Sequence, residues 1–76
     1  MYNIEMANAF KSIVPPKNFG VTIMDSGDFL TVVIDPEDIE ELQDNQVDDA
    51  VKYINDVKRV LEEQGAIVYV VRKALE

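Results

Sequence analysis

Cysteine and histidine are both missing from this 76-residue chain. Without cysteine there can be no disulfide framework, thiolate metal site or thiol nucleophile. Without histidine as well, the usual nucleophile–base pairs cannot be assembled. Positive charge is scarce: Lys and Arg number 7 against 15 Asp and Glu, for a net charge of −8. Neither Lys nor Arg occurs between Lys17 and Lys52, while Asp and Glu recur throughout that interval. A phosphate backbone is bound by clustered positive charge, so direct nucleic-acid binding is not expected. Anionic membrane surfaces are disfavoured for the same reason. No apolar run approaches spanning length, and the first residues lack the basic flank and apolar core of a signal peptide. The expectation is a soluble, cytoplasmic protein. Glycine occurs only at Gly20, Gly27 and Gly65, each alone, so no glycine-rich phosphate loop exists and no nucleotide cofactor is expected.

What is present outlines one small domain. A chain this short buries only about 60% of its unfolded surface, so its core is thin. Small domains compensate with a disulfide, a metal or a partner chain; the first is impossible here, which gives self-association weight. "YNIEMANAFKSIV" places Tyr2, Met6, Phe10 and Ile13 at helical spacing behind a possible Asn3 N-cap, and Pro15-Pro16 stops it. The spacing predicts a helix over about 3–13. "FGVTIMDSGDFLTVVID" alternates on both sides of Asp25-Ser26-Gly27-Asp28 and reads as a β-hairpin, with strands over about 19–25 and 28–35.

The following stretch, "VVIDPEDIEELQDNQVDDAVKY", is dominated by carboxylates. Asp35-Pro36-Glu37-Asp38 has the chemistry of a helix start: Asp as N-cap, proline at the first position, acids in the first turn. Val47, Ala50, Val51, Ile54, Val57 and Leu61 form one apolar stripe closed by Gly65, a residue suited to the left-handed C′ position. One helix over 36–64 would reach roughly 43 Å, against about 27 Å for a strand of eight residues. A short helix at 36–43 and a main helix at 46–64 are therefore expected, with Asn45 and Asp48 starting the second. "AIVYVVRKA" is a strand over 66–74 whose almost continuous apolarity suggests burial on both faces. Leu75 and Glu76 are expected to be appended residues without a role.

The order is thus α-β-β-α-β, a single α/β (α+β) domain. A three-stranded mixed sheet is expected to pack against an N-terminal helix and a long helix in the C-terminal half. Strand three should run parallel to strand two, with strand one in the middle. Every strand is apolar on both sides. Val21, Ile23, Leu30, Val32, Ile34, Ile67, Tyr69 and Val71 make one set, and Met24, Phe29, Val33, Val68 and Val70 the other. Helices on both faces would cover both sets. Helices on one face would leave the second set as an interface, most simply for a homodimer.

The candidates for chemistry are few. Ser12 and Ser26 sit where a helix end and a turn explain them. "DSGD" could hold a cation across a tight turn, but a solvated hairpin turn accounts for it. "DPEDIEELQD" lacks the spacing of a calcium loop, so no metal and no catalytic residue is assigned. The acids at the helix starts complement the helix dipole, a role that does not require Glu40, Glu41 or Asp44. A surface of Glu37, Glu40, Glu41, Asp44 and Asp48 could instead meet a basic protein, or imitate rows of phosphates on an enzyme that handles nucleic acid. The function expected from sequence is a small, non-enzymatic accessory or inhibitory protein with a basic protein partner. The alternative is an assembly subunit that self-associates, as a dimer, through the apolar sheet face.

Overall fold

The computed structural model describes residues 2–73. Its elements are α1 (Ile4–Lys11), β1 (Phe19–Asp25), β2 (Leu30–Pro36), α2 (Asp44–Glu63) and β3 (Val68–Arg72), a small α+β domain in the order α-β-β-α-β. Ala74, expected to end the last strand, and the pair Leu75–Glu76 lie outside the described residues.

Helix α1 begins where its cap chemistry predicts. Asn3 is extended, and its Oδ1 accepts a hydrogen bond from the Met6 N–H at 2.9 Å, satisfying one of the free donors of the first turn. Glu5 stands in the first turn and Lys11 in the last, both favourable to the helix dipole. At the end of the helix the Ser12 Oγ donates to the Ala9 carbonyl at 2.6 Å, and the two prolines prevent any continuation.

The hairpin forms in the expected place. Asp25 Oδ1 accepts from the Gly27 N–H at 2.8 Å, and Gly27 takes a φ of 90° that L side chains rarely adopt. Antiparallel pairing runs from Asp25↔Leu30 to Phe19↔Pro36. On its other edge β2 pairs in parallel with β3, from Leu30↔Val68 to Ile34↔Arg72. The strand order is β1-β2-β3, so β2 is central and the expectation of β1 in the middle is corrected. The hairpin occupies one edge of β2 only, and α2 returns the chain directly to the other.

The short helix expected at 36–43 is absent. Asp35 and Pro36 end β2 instead, and the Glu37 N–H donates to the Asn18 carbonyl at 2.8 Å, one step beyond the hairpin ladder. An amide that a helix start leaves free is thus already taken. Asp38 then adopts a left-handed φ of 57°, which no α-helix accommodates. Ile39 and Leu42 still pack against the core from this irregular segment.

Helix α2 starts two residues earlier than expected, with Gln43 rather than Asn45 at the N-cap; the Gln46 side chain reaches back to accept from the Gln43 N–H at 2.9 Å. At its far end the Ala66 N–H bonds the Leu61 carbonyl (3.2 Å) and the Gly65 N–H bonds the Glu62 carbonyl (2.9 Å), with Gly65 at φ 92°. These two bonds define a Schellman motif, as the placement of Gly65 at C′ predicts.

Ala50, Tyr53, Ile54, Val57 and Leu61 line the buried side of α2. They meet Leu30, Val32, Ile34 and Val68 from the sheet and Met6 from α1 in one cluster. Leu30, Val32, Ile34 and Leu61 retain no exposure. Both helices therefore cover the same side of the sheet, and the protein has two layers.

Candidate interaction face

The layer with no helix over it is built by strand alternation. On β2, Leu30, Val32 and Ile34 point inward, so Thr31, Val33 and Asp35 point out. The pairing registers then set three cross-strand rows on the outer face. The first is Met24–Thr31–Tyr69, the second Thr22–Val33–Val71, and the third Gly20–Asp35. The Lys73 N–H donates to the Ile34 carbonyl at 3.0 Å, which extends the parallel ladder and puts Lys73 beside Asp35 in the third row. At the opposite end the ring of Phe29 meets that of Tyr69 edge-on, with centroids 5.1 Å apart and planes at 88°, a favourable aromatic geometry.

This face is apolar and wet. Met24 is 52% exposed, Ile67 56%, Tyr69 57% and Val71 43%. Of the self-association residues expected from sequence, Met24, Phe29 and Val33 do share the open side. Val68 and Val70 do not: Val68 pairs with Leu30 and Val70 with Val32, which turns both toward the helices. Ile67, Tyr69 and Val71 take their place outside. The inward or outward phase of a strand apolar from Val68 through Val71 cannot be read from those residues. It is set by the register against β2. β3 is also an edge strand, so its continuous apolarity does not signal burial on both faces.

The acidic residues are spread over two kinds of backbone. Glu37, Glu40 and Glu41 lie in the irregular segment after β2, while Asp44 and Asp48 occupy the start of α2; all five are exposed. The helical turns that would have spaced Glu37, Glu40 and Glu41 like phosphates are not there. Glu37 has a local partner, because its side chain folds over Gly20, whose missing Cβ leaves the room. Among the described residues no three carboxylates converge as a metal site would require. In the hairpin, the Gly27 and then the Tyr2 N–H groups bonding Asp25 hold its carboxyl below the usual range.

One buried feature is not evident from the sequence. Tyr53 is 5% exposed, and its hydroxyl finds no hydrogen-bond partner among the described residues. Desolvation pushes its pKa up. It borders an open depression between α2 and the segment after α1, lined also by Ile13, Val14, Pro16, Asp49, Lys52 and Asp56. The signal was the spacing Ala50–Tyr53–Val57, which sets the ring on the apolar side of α2 despite its polar tip. The hydroxyl itself is shut away from solvent, so it cannot greet a ligand in that depression.

No helix among the described residues is long and apolar enough to cross a membrane. No family model matches the chain, and comparison with curated proteins and with solved structures finds no similar protein.

Proposed function

We propose that the protein is a non-enzymatic interaction module whose contact surface is the open face of its sheet. One observation carries this reading: two helices share one side, leaving Met24, Ile67, Tyr69 and Val71 in water on the other. Contiguous exposed apolar surface is uncommon on monomers and marks interfaces. The absence of cysteine agrees with work in a reducing, intracellular compartment. The test is a photo-crosslinking amino acid placed at position 69 on the open face, with position 55 on the exposed side of α2 as control, in the cell of origin. Protein adducts from 69 and not from 55 support the reading; equal yields, or none, reject it.

A second reading concerns the acidic side. Glu40 and Glu41 are exposed and required by no cap or core contact, in a stretch without a single Lys or Arg, and Asp44 beside them is exposed in the first turn of α2, where the helix dipole favours it. They supply a surface for a basic protein, and blocking an enzyme that handles nucleic acid is one use of it. Reversing these three charges should abolish such binding, and high salt should weaken it by screening. A partner retained through both changes is not held by this surface.

A further inference from the structure

We propose that Met24 makes the open face responsive to peroxide. Oxidation of its thioether to the sulfoxide turns one end of an apolar surface polar and weakens contact made through it. The effect on contact rests on the open face being an interface; the chemistry at Met24 does not.

The chain has no cysteine and no tryptophan. With the thiol absent, the thioethers of methionine are the readiest targets of an oxidant. Of the methionines, Met6 and Met24 fall within the described residues, and they differ in access. Met6 of α1 lies in the core cluster with 4% of its surface exposed, whereas Met24 on β1 is 52% exposed. Pairing sets Met24 on the outer face in one row with Thr31 and Tyr69, and the ring of Phe29 stands against Tyr69. Hydrogen peroxide is neutral, so the net charge of −8 does not repel it as it would an anionic oxidant.

The step is a two-electron oxygen transfer. A lone pair on the Met24 sulfur attacks one peroxide oxygen, the O–O bond breaks and an S–O bond forms. Sulfur is oxidised and the peroxide reduced; the leaving hydroxide takes the proton of the transferred oxygen and departs as water. A polarizable apolar side chain is thereby replaced by one carrying a strong hydrogen-bond acceptor. Methionine sulfoxide reductases return the sulfoxide to the thioether, so the change is reversible.

The test treats the full chain with dilute hydrogen peroxide. Peptide mapping by mass spectrometry should show Met24 gaining one oxygen at least about tenfold faster than Met6, which reacts only when the core opens. The oxidised protein should elute earlier from a phenyl column, reductase should restore its position, and circular dichroism should not change. Met24→Leu should abolish the shift while leaving Met1 and Met6 in place, and Met24→Gln should reproduce it without oxidant. Equal rates at Met6 and Met24 overturn the proposal, as does a shift that survives Met24→Leu. In the cell of origin, capture by a crosslinking residue at position 69 should fall severalfold in the Met24→Gln chain and persist in the Met24→Leu chain. Equal capture by the two overturns the effect on contact. If position 69 captures nothing even with Met24 intact, the interface reading fails and takes the effect on contact with it; selective oxidation and the elution shift then stand alone.

Discussion

The two faces of the sheet share aliphatic side chains but live in opposite environments, and the outer rows also carry Thr22, Thr31, Asp35 and Lys73. Leu30, Val32 and Ile34 on the inner side are fully buried, whereas Thr31 and Val33, their neighbours on the same strand, look outward. The contrast is sharpest on β3, where Val68 is 5% exposed and Val71, a residue of the same kind three positions on, is 43% exposed. Composition alone therefore does not decide what is core. The inner face is inner because α1 and α2 both pack on it, and the outer face leaves Met24, Tyr69 and Val71 uncovered among threonines and charged residues. Burial of each aliphatic side chain stabilises by roughly 1.5–3 kcal/mol. That reserve is realised on one side of the sheet and unrealised on the other.

Substitutions that probe the two faces should separate cleanly. The largest loss is expected at Leu61, which retains no exposure in the inner layer. Leu61→Ala should cost about 2–5 kcal/mol, a large part of the roughly 4–11 kcal/mol expected for a chain of this length, read as a fall in the urea midpoint. Tyr53→Phe tests a polar intrusion on that side. Removing a buried hydroxyl with no partner should stabilise by about 1 kcal/mol, and a clear loss would show that the hydroxyl is satisfied after all. On the outer face, Val71→Asp should move monomer stability by less than about 0.5 kcal/mol. A collapse in the melting temperature of the dilute monomer would mean that the outer face is core. The smallest effect belongs to the hairpin end. The Asp25 carboxyl is held below its ordinary pKa of 3.8 by backbone N–H donors. Its contribution is fully present above that value and is lost as pH falls below it through the depressed folded-state pKa. Asp25→Asn should therefore flatten the acid limb of the stability–pH curve while leaving its slope near neutrality unchanged.

What could be read from sequence divides along the same physical line. Asn3, Pro15-Pro16, the Gly27 turn, the α2 stripe and Gly65 act on their immediate neighbours, and each placed its element within a few residues. Asp35-Pro36-Glu37-Asp38 carries equally good local chemistry for a helix start, yet it was outcompeted. The carbonyl of Asn18, distant in sequence, claims the Glu37 amide and holds the chain in the sheet. The order of strands and the phase of β3 are likewise properties of pairing between distant segments. The open face was legible as a possibility, with Met24, Phe29 and Val33 placed correctly. Val68 and Val70 were not, since nothing in "AIVYVV" distinguishes one side from the other. Glu40, Glu41 and Asp44 keep their exposure and lose the regular spacing that made them resemble phosphates.

The Schellman turn at Gly65 has a consequence for how this fold stores its pattern. Most half-buried strands encode their orientation twice, once in alternation and once in the connection that leads into them. In β3 the first copy is blank, so which side faces in is recorded by the register against β2 and by the length of the link from Leu61 through Gly65 to Val68 that sets it. Adding one residue to that link would rotate the strand by half a period and still bury valine, isoleucine and tyrosine. The molecule would keep a plausible core and exchange Tyr69 and Val71 for Val68 and Val70 outside. A single turn thus acts as the phase reference of the strand that follows it.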